Sequence, residues 1–143
     1  MNNITFAFLY HALGDTIGFK NGDWEFNYFS QTSNFSNSNE LLYEFISLGG
    51  INGISLKGWY VSDDTILNIA ISSGILKDFK TKKDNTEYIE TKKELVKSLD
   101  LILQDKKNKN RYEGGNTVKY INIIKNENKD GRDYAYDKFS GGN

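Results

Sequence analysis

The chain has no cysteine and no proline, a single histidine and methionine, and only two arginines, Arg111 and Arg132, among its 143 residues. Without cysteine, neither a disulfide framework nor a thiolate metal site can be built, which agrees with a reducing, cytoplasmic setting. One histidine, His11, excludes a two-histidine metal site, and its place in an apolar stretch reads as a packed or hydrogen-bonded residue rather than a general base. Charge of one sign is also missing. The 18 basic and 19 acidic residues leave a formal net charge of −1, too little to gather nucleic acid or an anionic membrane. No apolar run reaches the length that crosses a bilayer, and residues 1–10, apolar from Ile4, carry neither a basic leader nor a cleavage site.

What is present is helical periodicity. Hydrophobic residues make up 38% of the chain, enough for the core of one domain. Residues 3–13 are apolar on almost every side (Ile4, Phe6, Ala7, Phe8, Leu9, Ala12, Leu13), which predicts a central core helix stopping at Gly14. Residues 39–48 repeat the pattern with Leu41, Leu42, Phe45, Ile46 and Leu48, and stop at Gly49-Gly50. The run from Ile66 to Leu76 predicts a third helix. Residues 91–104 predict a fourth, an amphipathic surface helix with Leu95, Val96, Leu99, Ile102 and Leu103 on its stripe. Val118, Ile121 and Ile124 continue the pattern after a Gly-Gly turn. The charged runs at 77–87, 105–110 and 126–132 read as solvated loops. The prediction is an all-α single domain.

The sharpest local feature is Trp59-Tyr60-Val61-Ser62-Asp63-Asp64-Thr65 at the mouth of the third helix. Ser62 and Asp63 are good N-caps, and acids near a helix N-terminus are favoured by its dipole. Capping explains one carboxylate more readily than two. Asp63 and Asp64 repel one another if buried together, and a hard divalent cation such as Mg²⁺ is a common means of holding such oxygens at one place.

Other acids and glycines fall in predicted loops, where function concentrates. Asp15 lies in Gly14-Asp15-Thr16-Ile17-Gly18, and Glu25 in Asn21-Gly22-Asp23-Trp24-Glu25-Phe26. Taken singly, Asp15 reads as a turn residue and Glu25 as a solvated acid beside a packed Trp24. Arg111-Tyr112-Glu113-Gly114-Gly115-Asn116-Thr117 offers backbone N–H groups before a helix capped by Asn116 or Thr117, which suits an anion, although such turns are also plain connections. The chain closes on Phe139-Ser140-Gly141-Gly142-Asn143.

In order along the chain, Ala12-Leu13-Gly14-Asp15-Thr16-Ile17-Gly18-Phe19, Asn21-Gly22-Asp23-Trp24-Glu25-Phe26, Leu48-Gly49-Gly50, the Trp59–Thr65 run and Arg111 with Gly114-Gly115 resemble the N-terminal half of the ADP-ribosylglycohydrolase family. Asn21-Gly22-x-Trp24-Glu25-Phe26 and Val61-Ser62-Asp63-Asp64-Thr65 look most like its members acting on ADP-ribosylarginine. The resemblance implies an all-α fold with orthogonal helices, two Mg²⁺ ions (Mn²⁺ being an alternative), and cleavage of the N-glycosidic bond between ADP-ribose and a protein arginine. It further implies metal ligation by Ser62, Asp63 and Asp64, catalysis by Glu25 with Asp63 and Asp64, and a supporting role for Asp15 at the substrate site. Gly114, Gly115 and Asn116 would line the ADP-ribose pocket, and Gly142 and Asn143 would begin a Gly-rich loop that also contacts ADP-ribose.

Against that pattern, residues 1–143 read as an incomplete domain. No counterpart of the family's later Gly-Asp-x-Asp segment is present, and three protein ligands do not complete a two-metal site. Three readings follow: an arginine-specific hydrolase completed by a longer product or a second chain; a catalytically inactive, truncated relative that binds ADP-ribose or a partner protein; and a small helical interaction domain whose acids are only caps. Helices that are apolar all round predict an exposed hydrophobic patch on the isolated chain.

Overall fold

A computed structural model describes residues 3–24, 34–81, 88–105, 111 and 113–127, and every regular element among them is helical. The expected all-α class holds. Two units divide the chain, Met1–Val61 and Ser62–Asn143.

The first unit contains α1 (Asn3–Phe19), a 3-10 turn (Lys20–Gly22), α2 (Asn34–Ser47) and α3 (Gly50–Gly53). α1 does not stop at Gly14. It runs through Gly14 and Gly18, with the Thr16 hydroxyl donating back to the Ala12 carbonyl at 2.7 Å. The break comes where three successive residues take positive φ: Lys20 (42°), Asn21 (58°) and Gly22 (96°). Asparagine tolerates this conformation because its short amide can bond locally. Here Asn21 Nδ2 donates to the Gly58 carbonyl at 3.2 Å and Oδ1 accepts the Tyr60 amide at 3.0 Å, so the turn fastens residues 58–60. Trp24 stands edge-on to Trp59 and Phe45, at centroid distances of 5.7 and 6.1 Å.

The other expectations for this unit hold in part. α2 ends just before Gly49, whose φ of 104° is left-handed, and a Cβ there would lie 2.7 Å from the Gly53 carbonyl carbon. Only glycine suits that corner. α1 is not a core helix within its unit: among the described residues only Thr16 and Phe19 of α1 are buried, Phe19 standing edge-on to Tyr60 at a centroid distance of 5.8 Å. Ile4, Phe6, Leu9, Tyr10 and Leu13 are exposed, and so is His11, which was expected as a packed or hydrogen-bonded residue. An all-round apolar helix needs partners on all sides to be buried.

The second unit is built from α4 (Asp63–Lys80), α5 (Ile89–Gln104) and α6 (Gly115–Glu127). Its core joins Leu95 and Leu99 of α5 to Ile121 of α6, with Leu67 and Val118 packed against them. α5 is amphipathic as expected, with Leu95, Leu99 and Ile102 buried and Lys93 and Lys97 exposed, but Leu103, assigned to its stripe, is exposed. α4 extends through Lys77–Lys80, residues expected in a loop, and Lys77 pairs there with Glu94 of α5. The α4–α5 crossing is tight at Gly74, where a Cβ would come within 2.3 Å of Thr91 Cα. Beside it, Asp78 accepts the amides of Glu90 (2.8 Å) and Thr91 (3.0 Å) and the Thr91 hydroxyl (2.7 Å). It therefore caps α5 from a neighbouring helix, satisfying amides that have no intrahelical partner.

Candidate functional site

At the entrance of α4, Ser62 is the N-cap: its backbone is extended (φ −73°, ψ −172°) and its Oγ accepts the Asp64 amide at 3.1 Å. Asp63 and Asp64 occupy the first turn, where the dipole favours acids. The two carboxylates part ways. Asp63 is buried and Asp64 exposed, while Ser62 and Thr65 are both buried. The repulsion expected from burying the pair together does not arise.

The Asp63 amide donates to the Arg111 carbonyl at 3.2 Å. This bond brings two motifs that are distant in sequence into one place. Three residues after Arg111, the Gly114 carbonyl accepts the Val118 amide at 3.0 Å and opens α6. The helix thus starts earlier than a cap at Asn116 or Thr117 implies, glycine being acceptable at that position. Gly115 is exposed, whereas Asn116, in the first turn, is 2% exposed and engaged. The Arg111 side chain is buried, with Nη2 donating to Asp105 Oδ2 at 3.3 Å just beyond the end of α5.

Asp15 lies on α1 in the first unit, half-buried and engaged, not in a loop. Glu25, Gly142 and Asn143 lie outside the described residues. The described structure therefore unites Ser62, Asp63 and Asp64 with Arg111 and the start of α6.

For a cation, the donor type is right and the number is short. Ser62, Asp63 and Asp64 offer hard oxygens of the kind Mg²⁺ takes, which prefers six in near-octahedral order. One lone pair of Ser62 Oγ already receives an amide, and the two carboxylates differ in exposure. Among the described residues no group of three His, Cys, Asp or Glu side chains could hold a metal ion. The set is partial.

Local sequence did not disclose every residue that builds the units. Asn21-Gly22 signals a left-handed turn, but its clasp on residues 58–60 needs the fold. Near it, Glu44 pairs with Lys20 and accepts the Trp24 indole N–H at 2.7 Å, while Lys20 Nζ sits 5.1 Å from the Trp24 ring centroid. The Lys20 hydrogen bond, then that of Trp24, lowers the Glu44 pKa against the opposing effect of burial.

The chain is 39% identical over 121 residues to a protein named as an ADP-ribosyl glycohydrolase from Acanthamoeba polyphaga mimivirus, covering 82% of this chain and 22% of that relative. It is 36% identical over 106 residues to an ADP-ribosylhydrolase of Dictyostelium discoideum, covering 72% of this chain and 24% of that protein. No family profile and no solved structure matches. By sequence the chain is similar, over most of its own length, to part of proteins named as ADP-ribosyl glycohydrolases. It spans about a quarter of the length of these relatives. No described helix is long and apolar enough to cross a membrane.

Proposed function

We propose that the chain contributes part of the active centre of an ADP-ribosylarginine hydrolase, acting in the cytoplasm on ADP-ribosylated protein. The observation that carries this reading is the Asp63–Arg111 backbone bond, which sets the acidic entrance of α4 beside the segment leading to α6. In this reading the amides at Gly114, Gly115 and Asn116 meet the diphosphate, as helix N-termini commonly do. Ser62, Asp63 and Asp64 supply oxygens toward Mg²⁺ or Mn²⁺, which when bound would lower the pKa of an attacking water and orient ribose hydroxyls. The remaining ligands come from polypeptide outside the described residues or from a second chain. Glu25 is the proposed general base, with Asp15 supporting the substrate, and Gly142 and Asn143 touching ADP-ribose. Acids near the anomeric carbon would stabilise the positive charge that develops as the guanidinium leaves.

Parallel incubations with ADP-ribosylarginine and ADP-ribosylserine proteins, with Mg²⁺ and with chelator, test this reading. It expects free ADP-ribose from the arginine substrate with Mg²⁺ only; equal release from both, or release in chelator, contradicts it. A second reading, ADP-ribose binding without turnover, is favoured by the partial donor set among the described residues. It expects saturable binding of ADP-ribose that persists in Asp64→Ala.

A further inference from the structure

Arg111 stands where the ends of three helices meet. Its carbonyl receives the amide of Asp63, the first residue of α4. Its guanidinium reaches Asp105, the residue after α5. Its chain runs on to Gly114, whose carbonyl starts the hydrogen bonding of α6. A first-turn helix amide has no partner within its own helix, so the acceptor chosen for it fixes what lies beside the helix entrance. At Asp63 that acceptor is a backbone carbonyl, and backbone position is set by what anchors its side chain. Arg111 is 9% exposed, and a guanidinium stays charged wherever it is placed, so its burial requires a charged partner. Asp105 provides one, and the end of α5 is in turn held by the Asp105 amide bonding to the Ile102 carbonyl at 3.2 Å.

We infer that Arg111 is a positioning residue: its ion pair to Asp105 holds the Arg111 carbonyl, so that Asp63 and the first turn of α6 keep a fixed mutual placement. The inference rests on the proposed function for its meaning, because that reading puts the cation at Asp63 and the diphosphate at Gly114–Asn116. Arg111 then couples the two half-sites. A ligand bound at either one meets the other already aligned, and loosening the junction separates them. Lysine is a poor substitute, since an ammonium lacks the planar fork that can hold a carboxylate and fill this buried volume together.

The test is amide NMR on the full 143-residue chain, comparing wild type with Arg111→Met, Arg111→Lys and the milder Asp105→Asn, each titrated with ADP-ribose with and without Mg²⁺. Arg111→Met is expected to shift the Asp63 and Gly114–Asn116 amides and speed hydrogen exchange at Asp63, leaving Leu99 and Ile121 in place. Asp105→Asn should move the same amides less. In the variants ADP-ribose affinity should fall roughly tenfold and lose its dependence on Mg²⁺, with Arg111→Lys restoring it only in part. Unchanged Asp63 and Gly114 amides in both Arg111→Met and Asp105→Asn overturn the inference, as does a shift spread equally over the core. Should wild type show no response to ADP-ribose, the proposed function fails, while the Asp63 amide still decides whether Arg111 positions it.

Discussion

One carboxylate oxygen of Asp78 receives both the amide and the hydroxyl of Thr91, at 3.0 and 2.7 Å. With the Glu90 amide on its other oxygen, Asp78 ties the last turn of α4 to the first of α5. Burial alone would raise its pKa, but the hydrogen bonds from Thr91 and Glu90, aided by the charge of Lys93, hold it below the ordinary 3.8. Asp78→Ala strands these amides and is expected to lower stability by about 2 kcal/mol in urea melts.

The same pair sets a pH dependence. A folded pKa below the unfolded one stabilises the protein above the unfolded value and ceases to do so as pH falls through the folded value. The Asp78 contribution is therefore present above about pH 3.8 and lost below it. The difference in urea midpoint between wild type and Asp78→Ala should be constant from pH 7 to 5 and shrink under pH 4. A difference that grows on acidification contradicts this account.

Two glycine substitutions should act with opposite signs. At Gly74 a methyl group meets the Thr91 backbone at 2.3 Å, so Gly74→Ala should cost roughly 1–3 kcal/mol despite the better helix propensity of alanine. At Gly14 nothing lies within 4 Å of a new Cβ, and Gly14→Ala should stabilise by up to about 1 kcal/mol. Thermal melts of the two variants decide it.

Glu44 should report on Trp24. Its carboxylate bonds the indole N–H and pairs with Lys20, and its pKa is lowered, chiefly by Lys20. In a Trp59→Phe background, Glu44→Leu should shift Trp24 emission, whereas Glu44→Gln, which keeps an acceptor, should leave it nearly in place. Identical spectra for both variants would remove Glu44 as the partner of the indole.

The helices were legible because periodicity is local: Leu95, Leu99 and Ile102 share one face in the sequence and in the structure. Ser62 was legible as a cap for the same reason. Gly14 misled because glycine permits a stop without requiring one, and the left-handed residues that end α1 come later, at Lys20–Gly22. The role of Asp78 could not be read, since its partners become neighbours only once α4 and α5 cross. The buried Asp63 and exposed Asp64 are likewise a product of packing, which adjacent identical residues do not disclose. At the candidate site, the family resemblance picked out Arg111 with the Gly-Gly turn, but only the fold revealed that the Arg111 carbonyl holds the Asp63 amide.

The most direct measurement is release of free ADP-ribose from an ADP-ribosylarginine protein by the 143-residue chain with Mg²⁺, set beside Asp64→Ala and the remote Asp100→Ala, a surface partner of Lys125. The account predicts that any release by wild type and Asp100→Ala is abolished by chelator and by Asp64→Ala, circular dichroism being equal in all three proteins. Release that survives chelator or Asp64→Ala contradicts the assignment of hydrolysis to this acidic helix entrance.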